Sequence, residues 1–379
     1  MSSASNLFNA EEILDGICGW VRIESPTYEP DRVNRMMDEA EGAMRALGAA
    51  IERIPGTDGY ADVVKATLPF GDDPDAPGIL VLGHLDTVHP GGTIDGPLTL
   101  RREGDKVYGP GIYDMKGGMY LAYYALRQLL KAGQKPALPV TFLFISDEEV
   151  GSPSTRALIE AEAKRSRCVL VPEPSRQGNV VTGRHAFLRY RLNMHGKPAH
   201  AGADNRAGRS AIRAMARLID RLEGLSDFER GITYSVGVVR GGQWVNVIPI
   251  ECTAEVLCVA PTEAAFAEVQ ATMAALKPDD PEVRLVVEPG PVRPLFRANA
   301  GTMALYEMAR QLSEAEGIEL THGQFGGGSD GNFSGALGVP TLDGLGVRGG
   351  GPHTHGEHLL VSSLEPRARL LAGLFESIR

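Results

Sequence analysis

Glu148 and Glu149 stand side by side in Ser146-Asp147-Glu148-Glu149-Val150-Gly151, directly after the apolar run 140–145. Neighbouring carboxylates at the end of a buried strand are costly unless a metal, a proton or a basic group compensates. Taken alone, the pair also fits a solvated acidic turn. Other stretches offer the parts that would compensate it. In Gly83-His84-Leu85-Asp86-Thr87-Val88, which follows the apolar run Ile79-Leu80-Val81-Leu82, His84 and Asp86 project to the same side of an extended chain. A carboxylate behind a metal-binding imidazole fixes its tautomer and raises its basicity. Asp114 lies among the glycines of Tyr108-Gly109-Pro110-Gly111-Ile112-Tyr113-Asp114-Met115-Lys116-Gly117-Gly118. There the backbone can come close to an ion and both carboxylate oxygens can face it; an N-cap aspartate is the other reading. Glu173, in Pro172-Glu173-Pro174, ends a further apolar run at 168–171, and Gly349 to His358 holds three of the nine histidines.

The elements that must position these residues are legible in the hydrophobic pattern. Three short apolar runs (79–82, 140–145, 168–171), separated by helical stretches, each deliver a potential ligand at the carboxyl end. Open α/β sheets build their sites there. Asn9-Ala10-Glu11-Glu12 opens a helix with a capping-box pattern, and a second helix runs from Asp31 to Gly48. Others are expected through residues 119–130, from about Ser154, from Ala298 and over 363–378. From about Asn179 to Glu288 the character changes to strands at 186–194, 232–239, 245–259 and 283–287, with helices at 207–222 and 263–276. That order is the β-α-β-β-α-β unit of ferredoxin-like domains. The expected organisation is a mixed-sheet α/β/α domain from 1–178 and 294–379, interrupted by an α+β insertion at 179–293. The insertion carries His195-Gly196-Lys197-Pro198-Ala199-His200-Ala201-Gly202. After it, Phe325-Gly326-Gly327-Gly328-Ser329-Asp330 forms a loop whose N–H groups, at Gly328 and Ser329 among others, suit an anion or oxyanion.

Composition excludes several classes. At 379 residues the chain exceeds a single comfortable core, and 43% hydrophobic with 23% charged residues is ordinary for a globular protein. A net charge of -10 argues against nucleic acid or an anionic membrane as partner. Met1 to Asn9 shows neither the charged nor the apolar region of a secretion signal, so a cytoplasmic location is expected. Cys18, Cys168, Cys252 and Cys258 lack C-x-x-C spacing and sit in apolar surroundings, as buried thiols do.

Together, the motifs around His84, Asp114, Glu148-Glu149, Glu173, His200-Ala201-Gly202, Asn246-Val247-Ile248-Pro249, Gly326 to Asp330 and His353 to Glu357 closely resemble the dizinc peptidases and deacylases of metallopeptidase family 20. The resemblance runs through nearly the whole chain, in order. It implies that His84 and Glu173 bind one metal, Glu149 and His353 the other, and that Asp114 bridges them. Each metal would keep an open position, the pattern of catalytic zinc. Asp86 would orient His84, and Glu148 would act as general base toward the attacking water and then as acid toward the leaving amine. His353 fits the family's His-x-x-x-Glu spacing to Glu357, with His355 as the alternative. His200 would supply an oxyanion donor to the active site of a partner subunit, which implies a homodimer. Two divalent ions per subunit are expected, zinc first, with cobalt and manganese as substitutes.

The implied substrate is a small molecule or short peptide, cleaved at the amide bond to a small amino acid. Glutamate-selective members of the family hold the substrate carboxylate through the Asn of N-x-I-P and through arginines; Asn246 and Arg293 match. The strand after that motif usually ends in D-x-R, whereas this chain reads Glu255-Val256-Leu257-Cys258-Val259. The missing arginine near Cys258 removes a bidentate clamp, for which Lys197, Arg184 or Arg293 would have to compensate. The expected function is a glutamate-carboxypeptidase-like hydrolase. The alternative is an N-acyl-amino-acid deacylase or related amidohydrolase with a different substrate, and a third reading is a metal-binding protein without turnover.

Overall fold

The structure, a computed structural model, describes residues 7–379. Met1 to Asn6, most of the stretch in which a secretion signal would lie, is outside them. The chain forms two compact units: the first comprises residues up to Gly183 with Phe296–Phe325 and Ser329–Arg379, the second Arg184–Leu295 with Gly326–Gly328.

The first unit is built on a six-stranded mixed sheet. Its order is Ala50–Ile54, Val63–Leu68, Val140–Ile145, Ile79–His84, Cys168–Leu170, Thr341–Leu342. The first two pairings are antiparallel and the last three parallel. Ile79–His84 is buried at all six positions, as a strand covered on both faces must be. Its parallel register sets His84 opposite Ile145, and Leu85 N–H donates to the Ile145 carbonyl at 2.9 Å. The segments carrying Asp86 and Glu148 therefore leave the sheet at the same edge. Helices Ala10–Val21, Lys116–Lys131 and Leu364–Ser377 share one core with this sheet, through Ile13, Ile17, Leu121, Leu129, Phe142, Leu371 and Phe375.

Half of the expected capping box forms. Asn9 Oδ1 accepts from Glu12 N–H at 2.9 Å, but the Glu12 carboxylate turns to Tyr124 Oη at 2.8 Å and Arg127 at 2.6 Å instead of back to the cap. Two strands absent from the sequence reading, Ala50–Ile54 and Val63–Leu68, form an edge hairpin. Val180–Arg184, placed with the insertion by the sequence pattern, pairs with His322–Phe325, and Val181 exchanges backbone bonds with Asp343. Those bonds hold residues 180–183 in the first unit.

The second unit is a four-stranded antiparallel sheet in the order Thr233–Gly241, Glu251–Ala260, Ala186–His195, Arg284–Arg293, with helices Ala211–Glu223 and Glu263–Ala274. One set of alternating residues (Leu188, Leu192, Met194; Cys252, Ala254, Val256, Cys258) packs with Met215, Leu218, Val269 and Met273 of the helices. The strand expected over 245–259 begins only at Glu251; Trp244 and Val245 lie in an exposed loop. No described helix is long and apolar enough to cross a membrane.

Candidate metal centre

Within the first unit, five chain segments bring their acids and imidazoles together. His84 is 1% exposed, and its Nδ1 lies 2.9 Å from the Asp86 backbone carbonyl and 3.4 Å from Asp86 Oδ1. Since a carbonyl only accepts, Nδ1 carries a proton, and in the neutral ring, the form that binds a cation, Nε2 presents a lone pair. That Nε2 lies 3.4 Å from Asp114 Oδ1, 3.7 Å from Glu173 Oε1 and 3.9 Å from Glu148 Oε2. On the other side, His353 Nε2 lies 3.4 Å from Asp114 Oδ2 and 3.1 Å from Glu149 Oε2. The two oxygens of Asp114 thus each face a different imidazole. His84, Asp114 and Glu149 offer donor atoms within 4.8 Å of one another.

Local backbone conditions explain how the segments approach so closely. Gly111 has φ +71°, and a Cβ there would sit 2.5 Å from Thr87 Cγ2, so the turn before Asp114 requires glycine. Asp86 is fully buried; its carboxylate accepts from Thr27 Oγ1 at 2.7 Å, Glu148 N–H at 3.2 Å and Glu149 N–H at 3.3 Å. It therefore fixes the backbone of the acidic pair as well as facing His84. Asp147 accepts from Ser154 N–H and from the Ser154 and Thr155 hydroxyls, which makes it the anchor of the turn. His355 is exposed, and among the described residues it has no ion pair with these acids; His353 does.

The charges agree with a cation's place. Burial works against charge on Asp114, yet the His353 and His84 imidazoles beside its two oxygens hold it well below the usual carboxylate range. His353 is pushed up to about 11 by its hydrogen bonds to Asp114 and Glu149. Burial pushes Glu149 up to about 8. His84 is raised although burial opposes it, because Asp114 and Asp86 outweigh burial. Carboxylates crowded around two imidazoles are what a divalent ion would balance. Two buried donor atoms, His84 Nε2 and Glu149 Oε1, have no hydrogen-bond partner, and such orphans are rare unless a ligand meets them. The imidazole and carboxylate donors suit zinc, cobalt or manganese.

The second unit holds other expected site residues. His200 is exposed, and its Nδ1 accepts from Gly202 N–H at 3.2 Å and Ala203 N–H at 3.1 Å. Its proton consequently lies on Nε2, which is free to donate. Asn246 is its neighbour: Ala201 N–H donates to the Asn246 carbonyl at 2.9 Å, and His200 bridges Val247. Arg293 is 2% exposed beside Gly328, where a Cβ would come within 2.6 Å of Arg293 Cδ. Arg184 is engaged with the carbonyls of Gly327 at 2.9 Å and Gly328 at 3.4 Å.

Two sequence expectations change here. Ser329, expected at a substrate, is fully buried in the first unit; its hydroxyl donates to Asp343 at 2.6 Å and its N–H to Asn332 at 3.0 Å. Both groups serve the loop. Cys258 is also fully buried, on the helix side of its sheet, and burial pushes its thiol up to about 12. The departure from D-x-R is instead at Leu257, on the opposite face and in register with Arg189. Sequence reasoning missed Thr27, His89 and Lys116. Lys116 is fully buried, its Nζ donates to the Ile23 carbonyl at 2.6 Å, and burial lowers it to about 7. Only its place beside Asp114 could have marked it.

Comparison with known proteins gives the same picture. Residues 80–377 match the model of peptidase family M20/M25/M40. Carboxypeptidase G2 of Pseudomonas sp. (strain RS-16) is 31% identical over 369 residues, covering 93% of this chain and 86% of that protein. Acetylornithine deacetylase of Myxococcus xanthus is 29% identical over 245 residues, 61% of this chain and 62% of that one. The crystal structure of a Staphylococcus aureus tripeptidase superposes with a TM-score of 0.74 at 21% identity, over 98% of this chain and 99% of that one, and bears on the fold. With a family model spanning most of its length and its acids and histidines gathered at the strand ends, the chain belongs to peptidase family M20/M25/M40.

Proposed function

We propose that the protein is a dinuclear metallohydrolase that releases a small amino acid from N-acyl or peptidyl amides, as a glutamate carboxypeptidase does. The carrying observation is Asp114, whose two oxygens each lie 3.4 Å from the Nε2 of a different histidine. His84 and Glu173 on one side, and Glu149 and His353 on the other, would complete two sites bridged by Asp114. Bound divalent ions would polarise the scissile carbonyl and make water nucleophilic near neutral pH. Glu148, 8% exposed and within 3.9 Å of His84 Nε2, would take the proton of the attacking water and return it to the leaving amine. Asp86 holds Glu148 in that position through its backbone N–H.

The Nε2–H of His200 supplies a donor for the oxyanion in a partner subunit's site. Support for a homodimer comes from the second unit: strand Thr233–Gly241 is a sheet edge, and Trp244, Val245 and Ile250 are exposed at 71%, 102% and 45%. Leu257 in place of an arginine favours, as the second reading, an N-acyl-amino-acid deacylase whose substrate lacks a second carboxylate.

The test is amino-acid release from a panel of N-acyl amino acids and dipeptides, with zinc-loaded and EDTA-stripped protein. Chelator-sensitive cleavage favouring C-terminal Glu or Asp supports the first reading, and activity confined to other side chains supports the second. Glu148→Gln should keep wild-type zinc content and lose roughly 10²–10⁴-fold in kcat; an active variant would refute the assigned role.

A further inference from the structure

One heavily bonded carboxylate at this strand edge belongs to none of the expected ligands. Glu357 is 1% exposed. Its Oε1 accepts from Tyr113 N–H at 2.9 Å and Asp114 N–H at 3.0 Å. Its Oε2 accepts from Gly111 N–H at 3.1 Å and lies 2.7 Å from His89 Nε2. Four donors converge on one carboxylate, enough to offset the cost of burying it. In sequence it appeared only as the spacing mark four residues after His353.

The donors are distributed in a telling way. Three are consecutive or near-consecutive N–H groups of the turn that presents Asp114, including that of Asp114 itself. The fourth, His89, lies on the segment leaving strand Ile79–His84, three residues after Asp86. Glu357 belongs to the loop that carries His353, tied by Glu357 N–H to the Thr354 carbonyl at 3.2 Å and by Gly109 N–H to its own carbonyl at 3.4 Å. One side chain therefore links the three segments that supply His84, Asp114 and His353.

We propose that Glu357, oriented by His89, is a positioning residue that sets where the Asp114 carboxylate stands between the two imidazoles, and so sets metal affinity. This rests on the dinuclear reading above. Glu357→Gln preserves size but turns one acceptor into an NH₂ that faces N–H donors. The Asp114 turn then loses a hydrogen bond on one side, and the bridging oxygens shift relative to His84 and His353. His89→Ala removes the orienting donor only, while His89→Gln can donate to Oε2 again.

The experiment compares wild type, Glu357→Gln, His89→Ala and His89→Gln. It measures zinc stoichiometry and stepwise affinity by chelator competition, the cobalt(II) absorption spectrum, and thermal unfolding of the metal-free proteins. Glu357→Gln should bind zinc about 10–100-fold more weakly with a changed cobalt spectrum, and kcat should fall more than KM rises. His89→Ala should move the same way, and His89→Gln should recover. Wild-type zinc affinity and cobalt spectrum in Glu357→Gln or His89→Ala, with only a lower unfolding temperature, would make the cluster purely structural and overturn the proposal. Should Glu357→Gln not fold, the His89 pair decides alone. Fewer than two zinc ions bound by wild type would instead overturn the dinuclear reading, and this inference with it.

Discussion

Gly118 provides a direct test of how tightly the Glu173 segment is held. It lies in the first turn of helix Lys116–Lys131, and a Cβ built on it would stand 1.8 Å from the Pro172 carbonyl oxygen. Gly346 approaches the same oxygen from another side, at 2.3 Å for its Cβ, while its N–H donates to the Glu173 carbonyl at 2.9 Å. Contacts below 3.0 Å do not persist, so Gly118→Ala must open the gap between this helix turn and Pro172 by at least 3.0 − 1.8 = 1.2 Å. The obstacle is backbone, which no rotamer change can relieve. Overpacking of this kind costs about 1–3 kcal/mol, and a ligand displaced by about 1 Å can cost about 10²-fold in rate. We expect Gly118→Ala to unfold earlier when metal-free, to bind less zinc and to lose about two orders of magnitude in kcat. Gly42 is the control: it is exposed in helix Pro30–Ala46 with nothing within 4 Å of its Cβ direction. There the same substitution should stabilise by roughly 0.5–1 kcal/mol. Wild-type stability, zinc content and kcat in Gly118→Ala would mean that the Pro172–Glu173 backbone does not lie against Gly118, and would refute the argument.

Without a bound metal ion, stability should depend on pH. Glu149 rises from its ordinary 4.5 to about 8, so the stability it contributes is complete below pH 4.5 and is lost as pH climbs through 8. His353 rises from 6.5 to about 11, so its contribution is complete below pH 6.5 and lost toward pH 11. Both have the same sign and together outweigh Lys116, whose lowering to about 7 works the other way above pH 7: metal-free protein should melt lower at pH 9 than at pH 6, and calorimetry showing a flat or rising midpoint would contradict it. On the second unit's sheet, Leu257→Arg should shift cleavage toward substrates with a second carboxylate, whereas Cys258→Ser should lower stability without altering the substrate ranking. A changed ranking in Cys258→Ser would return the specificity argument to that position. Native alkylation at pH 8 should leave Cys168 and Cys258 untouched, both buried and pushed up to about 12; mass spectrometry of intact protein reads this.

His84, Glu149 and Glu173 were legible in sequence for one shared reason: each follows a buried apolar strand, whereas Asp114 and His353 lie in glycine-rich loops. Ile79–His84 and Val140–Ile145 had to be interior strands because they are almost wholly apolar, and a charged residue at the end of such a strand has a fixed address. The edge strand Ala50–Ile54 and its neighbour Val63–Leu68 carry Glu52, Arg53 and Lys65 among their apolar residues. Lys65 reaches Glu162 at 2.9 Å, a contact made across 97 positions of chain that no local pattern announces. Face assignment failed by a single residue. In a strand, neighbouring side chains point to opposite sides, so Leu257 and Cys258 differ completely in role although either satisfied the same observation about a missing arginine. Glu357 was legible only as a distance from His353, because the groups it holds lie 243 to 268 residues away. A sequence displays the residues that an ion would touch, since their type is constrained. The residue that holds several such segments together is constrained by geometry alone, and geometry appears only once the chain is folded.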